Sequence, residues 1–153
     1  MARIRMLLAL TVAMCAIAGV TLASNAQAHR SPEAQMLHRV NHYRKKHGVR
    51  ALHLSHSLKR SARKYAHKMM REQYFGHQRR IQASSKYRRL GEILEWQRGT
   101  DPNVGLAFRT WVHSREHRAI ILDRNFTYAG AGRAWGRFHG RPSTIWVMHF
   151  GKP

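Results

Sequence analysis

The stretch His113-Ser114-Arg115-Glu116-His117 is where residue type and spacing alone suggest metal chemistry. Its two histidines stand four apart, and His-x-x-Glu-His is the inverted zinc-protease string. In that chemistry two imidazoles hold zinc and a carboxylate activates the attacking water. The reading requires one continuous helix, so that both rings project together, and a third, acidic ligand downstream. After Glu116 the only acid is Asp123, about two helical turns along the same segment. Ser114 is a natural helix start, which would leave His113 outside the helix. With 12 histidines in the chain, such spacing arises by chance. The zinc-protease reading is set aside, and Ser114 is read as a cap rather than as a nucleophile.

The elements around this stretch are legible from periodicity. Ser31-Pro32-Glu33 reads as N-cap, first helical residue and first-turn acid, with Gly48 as the stop. Ser55 or Ser57 opens a second helix with Leu58, Ala62, Tyr65, Ala66 and Met69 on its apolar face. Lys59, Arg60, Arg63, Lys64, Lys68 and Arg71 form the opposite, solvated stripe. After Tyr74-Phe75-Gly76-His77 a polar loop, Gln78 to Arg89, leads into a short strand, Leu90 to Trp96. Asp101-Pro102 starts a third helix through Trp111, and Ser114 caps a fourth that ends near Leu122. The tail reads as a hairpin: Phe126 to Trp135, a turn around Gly136 to Gly140, then Thr144 to Phe150. Tyr128-Ala129-Gly130-Ala131-Gly132 lacks the lysine and following helix of a phosphate loop, so it reads as a strand under close backbone contact. The four tryptophans are expected in the core. Together these elements predict an α+β domain.

The N-terminus decides the compartment. Arg3 and Arg5 precede an uncharged apolar run from Met6 to Ala23, and Ala26 and Ala28 occupy the positions a signal peptidase reads. Residues 1–28 are therefore expected to be a cleaved signal peptide and 29–153 the functional domain; an uncleaved anchor is the alternative. Either way the protein works outside the cytoplasm, as a secreted, periplasmic or cell-surface protein. The only cysteine, Cys15, lies in the leader, so no intrachain disulfide can form. The mature 125 residues suit one domain, expected to be monomeric. Of 28 basic residues only two lie in the leader, and none of the seven acids does, so the mature domain carries a formal charge of +19. Such charge favours polyanionic partners and salt-sensitive association. Export argues against nucleic acid and leaves anionic envelope polymers or lipid headgroups. Arginine outnumbers lysine 21 to 7, which leaves coding bias as an alternative origin of the charge.

Four ordered segments carry a resemblance: Tyr74-Phe75-Gly76-His77, Leu90-Gly91-Glu92, Trp111-x-x-Ser114-x-x-His117-Arg118, and Tyr128-Ala129-Gly130-Ala131-Gly132. With Leu37-x-x-Val40-Asn41-x-x-Arg44 at the start and Trp146-Val147-Met148-His149-Phe150-Gly151 at the end, the chain resembles the CAP superfamily of SCP-like extracellular proteins, in its disulfide-free bacterial branch. The resemblance implies an α-β-α sandwich with a small three-stranded antiparallel sheet between helices. It also implies a cleft in which His77 and His117 are the histidines and Glu92 the carboxylate, with a divalent metal such as zinc in some members. Two imidazoles and a carboxylate can hold zinc with an open position or pass protons without it. Ile93 stands where the family places Asn, Ser114 where some members place a second Glu, and Met148 where Gln is common. Two functions follow from this reading: an extracellular or envelope binding module, and a hydrolase in which His77, His117 and Glu92 activate water.

Overall fold

The computed structural model describes residues 30–153; the expected leader lies outside them. The chain runs α1 (Pro32–Lys46), β1 (His53–Leu54), α2 (His56–Glu72), β2 (Arg89–Arg98), α3 (Val104–His113), α4 (Arg115–Leu122), β3 (Tyr128–Phe138) and β4 (Arg141–Lys152). The sheet order is β1-β3-β4-β2, with β1 parallel to β3 and the other pairs antiparallel. The expected sandwich is present, but its sheet has four strands rather than three. The added strand, β1, is two exposed residues long, too short to produce an alternating pattern.

Local chemistry accounts for the element ends. Gly48 takes φ +65° two residues beyond α1, where a glycine meets no steric cost. The Ser55 hydroxyl accepts from Leu58 N–H and opens α2. Asn103, rather than Asp101, caps α3. Ser114 ends α3 and caps α4, accepting from His117 N–H. His113 thus closes one helix and His117 belongs to the next, so the two rings do not share a helical face; the His113 Nδ1 lies 2.7 Å from Arg109 O. The hairpin turn is shorter than expected. β3 continues to Phe138, and His139 and Gly140, both at positive φ, form a two-residue connection.

Two hydrophobic layers flank the sheet. Ala62, Tyr65, Ala66 and Met69 of α2 meet Leu94, Ala134, Phe138, Ile145 and Val147 on one face. On the other, α1, α3 and α4 bury Met36, Val40, Ala107, Trp111 and Ile121 against Ile93, Ala131, Trp146 and Met148. Trp111 also donates from Nε1 to Leu94 O at 2.9 Å, tying α3 to β2. Trp111 and Trp146 are fully buried, but Trp96 and Trp135 are 41% and 53% exposed. Trp96 stands on the edge strand β2 with its ring edge-on to Phe138, and Trp135 lies under the Arg133 guanidinium. Arg44 is fully buried, and its guanidinium donates to the carbonyls of Arg50 (2.7 Å), Ile121 (2.6 Å), Asp123 (3.0 Å) and Phe126 (3.1 Å). It joins α1 to the end of α4 and the approach to β3 without any covalent link.

The expected close contact at the Gly-Ala-Gly segment is between α2 and β3. A Cβ on Gly130 would lie 2.2 Å from Lys59 N, and one on Gly132 2.2 Å from Arg63 N. Backbone meets backbone there, so no side-chain movement relieves the clash. Gly132→Ala should therefore cost about 3 kcal/mol or more by overpacking. Gly48→Ala, whose Cβ would meet nothing within 4 Å, should cost only about 1 kcal/mol of backbone strain. Chemical denaturation of both variants compares the two; equal losses would mean that α2 can lift off the strand without penalty.

Candidate functional site

The sheet register builds the site. Glu92 on β2 pairs with His149 on β4, which pairs in turn with Gly130 on β3. All three therefore lie in one row across the sheet, and Leu94 and Val147 in the next row show that this is the face α2 covers. Glu92 is only 7% exposed, and His149 is fully buried. α2 ends in a left-handed residue, Gln73, and the chain turns so that His77 returns over Glu92. Tyr65 secures this turn: its hydroxyl bonds the Tyr74 hydroxyl and donates to Gly76 O at 2.5 Å. Burial and the Tyr74 bond raise the Tyr65 pKa above that of an ordinary phenol, keeping the group protonated as a donor.

Glu92 is the hub. His77 Nδ1 lies 2.8 Å from its Oε1, and Gln78 N–H donates to the same oxygen at 3.2 Å. At Oε2, Gln78 Nε2 donates at 2.9 Å and His149 Nε2 lies at 3.0 Å. Burial alone would push the Glu92 carboxyl up, but the hydrogen bonds from His149, Gln78 and His77 outweigh it and hold the pKa below 4.5. Glu92 is therefore an acceptor at neutral pH, so the histidine nitrogens that face it donate. His149 donates from Nε2, and its buried Nδ1 has no hydrogen-bond partner. Gln78 Nε2 also approaches His149 Nε2 to 3.0 Å; two donors face each other there, so both serve Glu92 rather than one another. His77 donates from Nδ1, and its side chain is 61% exposed.

His117 enters from α4, half-buried, with its Nδ1 enclosed and unpartnered. Burial and then the field of His77 lower its pKa below 6.5, so it favours the neutral form. His77 and Glu92 are thus in direct contact, and His117 stands close enough to His77 to feel it. Gln78 and His149 are site members the sequence reading missed. The available signal for His149 was alternation: Ile145 and Val147 face α2, so His149 must as well, while Met148 faces the other layer. Nothing in the sequence pointed to Gln78.

The arrangement does not fit the expected zinc site. Both Glu92 oxygens are committed to hydrogen bonds, and among the described residues no group of three or more His, Cys, Asp or Glu side chains is set to hold a metal ion. What the geometry supplies is an imidazole oriented by a buried carboxylate, as in a general-base pair, beside a second, neutral imidazole.

Residues 37–150 match the model of the cysteine-rich secretory protein family, CAP. The chain belongs to that family. Among the described residues there is no cysteine, in keeping with its disulfide-free bacterial members. YkwD, an uncharacterised protein of Bacillus subtilis (strain 168), is 28% identical over 127 residues, covering 77% of this chain and 46% of its own. An extracellular SCP-domain protein of Bacillus anthracis str. Ames has the same fold (TM-score 0.64, 18% identity), matched over 80% of this chain and 40% of its own. So does an outer surface protein of Borrelia burgdorferi (TM-score 0.59, 19% identity), matched over 76% of this chain and 88% of its own. The CAP domain here spans less than half of YkwD and of the anthracis protein.

Two carboxylates on β2 should titrate in opposite senses. Glu92, depressed, contributes stability that is present above pH 4.5 and lost as pH falls through its lowered value. Glu92→Gln should therefore lower the Tm by several degrees at pH 7, with the gap to wild type closing in acid. Glu95 faces α3, and burial, partly offset by Thr110, raises its pKa to about 7. Its ionisation then opposes folding as pH climbs from 4.5 past 7. Glu95→Gln should leave the Tm unchanged at pH 4 and raise it progressively towards pH 8. Thermal melts of both variants against pH decide this, and parallel curves would refute it.

Proposed function

We propose that this CAP domain is an extracellular binding module, secreted or held in the periplasm or at the cell surface. In this reading it acts as a monomer, and its positive surface retains it on anionic envelope polymers or lipid headgroups. The observation that carries the reading is the construction of the cleft. Glu92 is saturated by His77, Gln78 and His149, so the site is preorganised, and among the described residues no serine, threonine or cysteine side chain hydrogen-bonds to the imidazole rings of His77, His117 or His149. A net charge of +21 for the whole chain supports long-range attraction to polyanions. The family's extracellular relatives support the location.

A second reading, a hydrolase, is favoured by one feature. His77, oriented by Glu92, and His117, held towards neutrality, could together take a proton from water. The two readings part on experiment. As a binding module, the protein should bind isolated envelopes with affinity falling about tenfold or more between low and high salt, and His77→Ala should leave this retention intact. Retention indifferent to salt would overturn the binding reading. As a hydrolase, it should turn over an envelope or peptide substrate, with both His117→Ala and Glu92→Gln abolishing the activity.

A further inference from the structure

Beside the histidine site lies a cavity of about 730 Å³ between α2 and the loop that follows it. Its α2 wall carries Lys64, Lys68 and Arg71, half of the stripe that periodicity marked only as solvated. The facing wall is the loop, with Arg79 and Arg80, and Tyr65 and Tyr74 also line the cavity. His77 and Gln78 border it as well, so it opens directly on the Glu92 cluster. A second cavity of about 570 Å³ shares Gln78, Arg79, Arg80 and Gln82, so the two arginines flank both spaces. The only acid on α2 is Glu72, which sits 3.9 Å from Lys68 and 3.1 Å from Arg71. Exposed pairs of this kind are weak and exchange readily for a stronger anion.

Lys64, Lys68 and Arg71 follow one another at i, i+4 and i+7. Along a helix those intervals rise about 6 Å and about 4.5 Å, so three cations form a ladder of that pitch facing two arginines. A compact multivalent anion would engage one rung, whereas a linear chain with one negative charge per repeat engages all three. We propose that this groove binds a linear polyanion of singly charged units recurring about every 6 Å, and presents one repeat to His77. The ladder supplies point charges, the loop arginines supply planar forks for the anionic oxygens, and the tyrosines form an apolar floor for the linking carbons. Two sources carry such chemistry: a polyol chain joined by phosphodiesters, and a chain of uronic acid sugars. The proposal rests on the envelope-binding reading and narrows it to one surface.

The test uses the purified protein and fluorescently labelled oligomers of glycerol phosphate and of galacturonate, one to six repeats long, with neutral dextran as control. Binding of at least one charged series should tighten from one repeat to three and then level off, and the series bound more tightly identifies the source. The Lys64→Gln/Lys68→Gln/Arg71→Gln and Arg79→Gln/Arg80→Gln variants should each weaken trimer binding at least tenfold. Lys45→Gln/Lys46→Gln/Arg50→Gln, an equal charge loss on and just after α1, should weaken it less than threefold. All the altered side chains are exposed, so unchanged melting curves will show that each variant is folded. Equal losses in the two triple variants, no dependence on chain length, or binding to neither series would overturn the groove. Salt-sensitive envelope retention in those same variants would then leave the broader reading standing, whereas salt-indifferent retention by wild type would remove that reading itself.

Discussion

Two glycines on β3 set the distance at which α2 can lie, and most of the molecule's functional surface follows from that distance. With hydrogen in place of a side chain at Gly130 and Gly132, the helix backbone at Lys59 and Arg63 rests directly on the strand. Ala62, Tyr65, Ala66 and Met69 then fill the layer between helix and sheet. Because Gly130 shares its row with His149 and Glu92, the same contact that seats the helix leaves the two polar residues further along the row. There the loop that returns after the helix can cover them. A bulkier residue on β3 would lift α2 and loosen the Tyr65 anchor that positions His77.

Burying charge in a domain with no cysteine among its described residues requires that each charge be satisfied locally. Glu92 meets this with four donors drawn from β4 and the loop. Arg44 meets it with carbonyls from three parts of the chain, which is stronger bracing than a neutral side chain could provide. Burial depresses the Arg44 pKa, and the Asp123 charge partly offsets it. These two residues brace the layers through hydrogen bonds alone.

The distribution of acids explains why so basic a domain presents positive surfaces. Glu33 pairs with Arg133, Asp123 with Arg89, and Glu92 lies under His77. The carboxylates are spent mainly on holding elements together, which leaves most of the arginines and lysines uncompensated. On α2 only Glu72 offsets the basic stripe, so the wall beside the histidine site keeps a net positive field.

Local chemistry was legible in the sequence by itself. Ser114 as a cap, the start of α2 at Ser55 or Ser57, Gly48 as a stop, the α2 apolar face and the backbone contact at Gly130 and Gly132 all follow from residue type and short-range spacing, which act within a few residues of themselves. The ordered motifs also named His77 and Glu92, whose side chains meet in the structure. The rest depends on pairings between distant segments. Which residue of β4 lies opposite Glu92 is a matter of register, so His149 could be read only after β2 and β4 were aligned. Gln78 reached the cluster through a loop path that periodicity does not describe. β1 exists because β3 is there to pair with it, and Trp96 stays half-exposed because β2 is an edge strand. Sequence determined what each segment could become; tertiary structure decided which side chains meet, because a hydrogen bond between residues 57 positions apart, such as that of Glu92 with His149, leaves no local trace.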